Sequence, residues 1–210
     1  VDGAQLRVVH VADVELPPAS DRFWRWLNEF SFTYEQGPTP IDDALMTLLV
    51  QAAPPLRVLR LADRRESSSR PSVTTAGLVA TRPLLAGLEE LRFARPFGVF
   101  CDAGDIDLLM LLSGAMGAGL SHLDLEGFPR LSDAALLEML SATRERNGTG
   151  AGGLEGLRLL GTAVSDGAFV NGLDEAFATS LKELRLSGSR GMGDGALKCL
   201  VEAGRCQGLE

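Results

Sequence analysis

With 210 residues, 45% of them hydrophobic, the chain is long enough for one ordinary domain or a short array of repeats around a sizeable core. Its 28 acidic and 20 basic side chains give a formal charge of -8, which sets direct nucleic-acid binding aside, since such binding rests on dense basic surface. Apolar runs such as "ALMTLLVQAA" and "LLMLLSGAMGAGL" are broken by Gly, Ser or Gln before the ~20 residues of a membrane span, so no membrane insertion is expected.

The chain opens on "VDGAQL", which has neither the basic start nor the apolar core of a signal peptide and no initiator Met. It reads as part of a longer chain. "LRVVHVAD" (6 to 13) is strand-like. "ELPPASDRFWRWLNEF" (15 to 30) reads as part of an insertion-bearing repeat, its Leu27 and Phe30, with Phe32 beyond it, being strand positions of a degraded copy of the same pattern, "LNEFSFTY" (27 to 34). Trp24, Trp26, Phe30, Phe32 and Tyr34 are expected to fill core around that insertion; the competing reading makes them an interface anchor. "LRVLRLAD" (56 to 63) is the first regular strand, followed by polar, Ser-rich "RRESSSRPS" (64 to 72), read as a solvated loop. "LEELRFAR" (88 to 95), "LSHLDLEG" (120 to 127), "LEGLRLLG" (154 to 161) and "LKELRLSG" (181 to 188) repeat the strand. "GAMGAG" (114 to 119) and "GTGAGG" (148 to 153) lie after helices and before strands, as helix stops and loops.

The strands share L-x-x-L-x-L, and their first leucines recur at intervals of 21 to 34 residues up to Leu209, where an eighth copy would begin. A second block recurs behind the first: "IDDALM" (41 to 46), "VTTAGL" (73 to 78), "LSDAAL" (131 to 136), "VSDGAF" (164 to 169) and "MGDGAL" (192 to 197). In each, an apolar anchor precedes a short polar pair rich in Ser, Thr and Asp, whose oxygens can accept the free N–H groups of a helix's first turn. One unit is therefore strand, loop, helix. The G-x-G-x-x-A string of "SGSRGMGDGALKCL" (187 to 200) sits in this slot, with Met192 where Leu131 and Val164 stand, so no dinucleotide cofactor is expected.

Cys101, Cys199 and Cys206 are an odd, sparse set, which favours a reducing, intracellular compartment, the cytoplasm first. His10 and His122 lie far from them in sequence, and no metal site is expected. Nothing converges as nucleophile, base and orienting acid, so the chain reads as non-enzymatic.

Over essentially its whole length the sequence resembles leucine-rich repeat proteins. It is closest to the cysteine-containing class of the F-box leucine-rich repeat proteins or to the ribonuclease-inhibitor-like class. "CQGLE", with Cys206 three before Leu209, and "LSHLDLEGFPRLSDAAL" carry the first likeness; most repeats instead have "PPL", "AGL", "GGL" or "TSL" before the first leucine. The resemblance implies an α/β leucine-rich repeat solenoid, with a curved parallel sheet on the concave side and helices on the convex side. It also implies one array over 1–210 with about seven repeats, irregular over 1–55 and regular over 56–210. The implied role is a non-catalytic protein-interaction scaffold or a subunit of a larger assembly. Alternatives are the substrate-recognition module of an F-box type ubiquitin ligase and a non-catalytic part of a multidomain enzyme.

Alternation along a strand turns the last two leucines inward and their neighbours outward. The middle outward position is held by His10, Ser31, Arg60, Arg92, Asp124, Arg158 and Arg185, and the one before it by Val8, Glu29, Val58, Glu90, His122, Gly156 and Glu183. Arginines on adjacent strands, ~5 Å apart, repel by about 0.8 kcal/mol even in water, so something must compensate. Two readings follow. Arg60, Arg92, Asp124, Arg158 and Arg185, with Glu90, Glu183 and His122, dock a protein partner carrying an acidic segment, or Glu90 and Glu183 neutralise their neighbours in a solvated charge lattice.

Overall fold

The computed structural model describes residues 8–36, 38–65, 71–95, 98–116, 119–147, 154–168, 181–188, 191, 193–195 and 198. Seven strands form a single parallel sheet: β1 (Val8–Ala12), β2 (Glu29–Tyr34), β3 (Val58–Asp63), β4 (Glu90–Ala94), β5 (His122–Leu125), β6 (Gly156–Leu160) and β7 (Glu183–Ser187). They pair in the order in which they occur along the chain, and the sheet is open, running from β1 to β7.

Between them lie α1 (Asp43–Ala52), α2 (Thr75–Ala80), α3 (Arg82–Leu85), α4 (Asp105–Met116) and α5 (Asp133–Asn147), with a 3-10 turn at Arg22–Trp26 before β2. Phe30, Leu59, Leu91, Leu123 and Leu157 are in register across β2 to β6 and all are buried. They share one cluster with Leu45, Met46 and Leu49 of α1, Leu78 of α2, Leu108 and Leu112 of α4, and Leu136 of α5. The helices thus cover the face of the sheet on which the alternate apolar side chains lie.

The strands begin two residues later than the L-x-x-L-x-L runs suggest. The first leucine of each run is already buried before its strand, at Leu27, Leu56, Leu88, Leu120, Leu154 and Leu181. The residue after it bonds sideways instead: Glu89 N–H donates to Arg57 O at 2.8 Å, Ser121 to Glu89 O at 2.8 Å, and Glu155 to Ser121 O at 2.7 Å. Past the strands, Gly127, Gly161 and Gly188 hold φ of +84°, +67° and +68°, a left-handed exit that side chains resist.

Polar pairs start the helices as expected. The Asp42 carboxylate accepts from Ala44 and Leu45 N–H, and the Thr74 hydroxyl accepts from Gly77 N–H. "GAMGAG" begins earlier relative to the helix than expected: its first three residues, 114 to 116, are the last of α4, and Gly119, at φ +113°, is loop. α4 begins at Asp105, four residues after the short bridge that Cys101 makes with Val73. The loop 64 to 72 is tied down at both ends, since the Asp63 carboxylate accepts from Arg65 and from the buried Ser72 hydroxyl. Residues 148 to 153, Met192, Cys199, Cys206 and Leu209 lie outside the described residues.

The aromatic insertion divides. Trp24, Phe30 and Phe32 are buried, Phe30 in ring contact with both others, with Trp24 Nε1 donating to Pro18 O at 3.0 Å, while Trp26 is 57% exposed. Tyr34 is half-buried, with the Arg65 guanidinium 5.1 Å from its ring centroid. Among the described residues, no helix is long and apolar enough to cross a membrane.

Candidate functional site

The sheet face away from the helices is where the outward side chains gather. Its register reproduces both predicted columns: His10, Ser31, Arg60, Arg92, Asp124, Arg158 and Arg185 stand side by side on consecutive strands, as do Val8, Glu29, Val58, Glu90, His122, Gly156 and Glu183. All eight residues singled out from the sequence are therefore brought together on one face.

The arginines are not bare. The Glu90 carboxylate accepts from Arg60 of the neighbouring strand and pairs with Arg92, two residues along its own strand. Glu183 repeats the arrangement three strands along, accepting from Arg158 Nη2 at 2.6 Å and pairing with Arg185 Nε at 2.8 Å. These are the compensating carboxylates that the arginine spacing requires, so the lattice arrangement is present. Burial opposes ionisation of Glu90, but the Arg60 hydrogen bond and the Arg92 charge outweigh it and hold its pKa below the usual range. Glu183 is lowered in the same manner by Arg158 and Arg185.

Asp124 behaves oppositely. It is buried between the two arginine groups, and burial pushes its carboxyl up to about 6 despite Arg158 and Arg92. Its Oδ2 is 3.9 Å from Arg158 Nη1, too far for a hydrogen bond, and its Oδ1 accepts from Glu126 N–H at 3.2 Å. Glu126, half-buried one residue past β5, is also raised, first by burial and then by the Asp124 charge.

Arg92, His122, Asp124, Gly156, Arg158 and Glu183 line a shallow depression at the centre of the face. His122 leans over Gly156: a Cβ there would lie 2.5 Å from His122 Cδ2. The ring is held from the other side by Ser121 Oγ, 2.9 Å from Nδ1.

Chemically, the face offers guanidinium donors and carboxylate acceptors in fixed order. Cys101 is buried with its thiol pushed up to about 11, chiefly by burial, which leaves it a poor nucleophile. Among the described residues, no three His, Cys, Asp or Glu side chains are grouped to hold a metal ion.

Two features escaped sequence reasoning. A third outward column, Ala12, Thr33, Ala62 and Ala94 with Leu160 and Ser187, flanks the arginines with mainly small side chains, and Glu126 adds a second carboxylate beside Asp124. Its signal was the same alternation carried two residues further. The other is a ladder of aspartates along the helix starts, where Asp43 accepts from Thr74 N–H at 2.8 Å and Asp105 from Ser132 N–H at 3.0 Å.

No protein-family model matches the sequence, and no curated protein matches it.

Proposed function

We propose that this chain is a leucine-rich repeat solenoid that binds another protein on its concave sheet face and performs no catalysis. The observation that carries the reading is the in-register row Arg60, Arg92, Asp124, Arg158, Arg185 on the helix-free face. Agreement between strand order and the order of the leucine triplets along the chain supports the repeat assignment.

A rigid sheet presents these groups at fixed spacing and at little ordering cost on binding. The guanidiniums keep 23% to 62% of their side-chain surface open to solvent, so a partner's carboxylates reach them without dismantling the Glu90 and Glu183 pairs. Placing Arg158 and Glu183 in mutual contact also presets the donor directions, which favours discrimination between partners over raw affinity.

The test is affinity purification with mass spectrometry from cells expressing either the native chain or a variant with Ala at Arg60, Arg92, Arg158 and Arg185. The reading expects stoichiometric partners that the fourfold variant loses while its circular dichroism stays native. Undiminished recovery of the same partners would remove the face from the account.

A further inference from the structure

The helix-free face carries its charges in an order. Arg60 and Arg92 share the single carboxylate of Glu90, leaving one net positive charge centred between β3 and β4. Arg158 and Arg185 share Glu183, leaving another between β6 and β7. Between them, on β5 and just past it, stand Asp124 and Glu126, the first within ion-pair distance of Arg158. The order across the sheet is positive, negative, positive. Glu29, on β2, adds a field that favours the Arg60 charge from the outer side.

The spacing is also defined. Parallel strands lie ~4.8 Å apart, so each positive node is centred about 7 Å from the acidic one. In an extended peptide, residues i and i+2 face the same side and are ~6.6 Å apart. A segment crossing the strands in extended form therefore sets i, i+2 and i+4 over the three nodes in turn. The mainly small third column, Ala62 and Ala94 among it, leaves room for its backbone.

Building on the protein-binding reading above, we propose that the partner presents an extended segment of the form acidic-x-basic-x-acidic, laid across β3 to β7 with its basic residue over Asp124 and Glu126. The two acidic side chains meet the Arg60–Arg92 and Arg158–Arg185 pairs. A long, unbranched cation suits the centre, because Asp124 is only 8% open at its side chain and is approached from above.

A display library of random nonapeptides panned on the whole chain tests this, followed by fluorescence anisotropy with a labelled peptide containing Glu-Thr-Lys-Thr-Glu. The expected result is enrichment of acidic-x-basic-x-acidic sequences and binding about tenfold tighter than for Lys-Thr-Glu-Thr-Lys, a few-fold for each exposed pair. Asp124→Asn, close in shape to the native residue, is expected to reduce the preference for the central Lys about threefold. Enriched peptides that need Arg92 and Arg158 but lack the charge order would overturn this inference and leave the protein-binding face standing. Peptides indifferent to Ala at all four arginines would sink both. No enrichment, together with no anisotropy change up to about 1 mM chain, would overturn the charge order.

Discussion

Asp133, the first residue of α5, accepts hydrogen bonds from both the backbone N–H of Ser165, at 2.6 Å, and the Ser165 hydroxyl. The same Ser165 hydroxyl receives Gly167 N–H at 3.1 Å, so one serine links the preceding helix start to its own. Asp43 with Thr74 and Asp105 with Ser132 repeat the device, and Asp166 extends it to Gly193 and Gly195 N–H. Each is charge-assisted, and those of Asp105 with Ser132 and Asp133 with Ser165 are partly buried. Asp133→Ala is therefore expected to cost about 2 to 4 kcal/mol in urea-induced unfolding, and Asp133→Asn about half of that, because Asn keeps one acceptor.

Asp124 sets a pH dependence of unusual sign. Its folded pKa, about 6, lies above the ~3.9 of an unfolded Asp, so the folded chain binds this proton more tightly. Its contribution to stability is fully present below pH ~4 and is lost as pH rises through about 6. The groups facing it are Arg92 from β4, Arg158 from β6, Glu183 from β7, and Glu126 beside it. Glu90 and Glu183, whose pKa values are lowered, act the other way, stabilising above the ordinary carboxylate range and losing that as pH falls. Asp124→Asn is expected to be more stable than the native chain at pH 8, by up to about 3 kcal/mol, and no more stable at pH 4. Urea titrations of both chains at the two pH values check it.

Gly156 makes room for a ring. With a Cβ there only 2.5 Å from His122 Cδ2, Gly156→Ala forces His122 or the β5–β6 pairing to shift. A loss of about 1 to 3 kcal/mol is expected. Pairing the change with His122→Ala should recover most of it, which a double-mutant cycle reads directly.

The two tryptophans should part company. Trp24→Ala removes a buried ring that meets Phe23 edge-on and Phe30 at a tilt, and is expected to cost about 3 to 5 kcal/mol. Trp26→Ala, two residues on and 57% exposed, should stay within about 0.5 kcal/mol on thermal unfolding.

The strand positions and the two outward columns were readable from leucine spacing, because alternation leaves each residue only two faces to choose between. Arg60, Arg92, Asp124, Arg158 and Arg185 fell into line for that reason. Two features were hidden. The unlike fates of Glu90 and Asp124 depend on which arginines sit on adjacent strands and at what depth, a property of neighbours some 30 residues away. The aspartate ladder was seen only as helix capping, since Asp43 and Thr74 lie 31 residues apart and become partners only when consecutive units stack. The α4 start was missed because Gly104 precedes Asp105 where most other units carry Ser, Thr or Asp.

Strand order that follows chain order has a mechanical corollary. Every backbone bond between neighbouring strands of the sheet joins segments adjacent along the polypeptide, so a force drawing β1 away from β7 peels the sheet from its rims instead of shearing all its ladders at once. Stretched in an optical trap, the molecule should lengthen in a succession of small, low-force steps, each the release of one strand with its trailing helix.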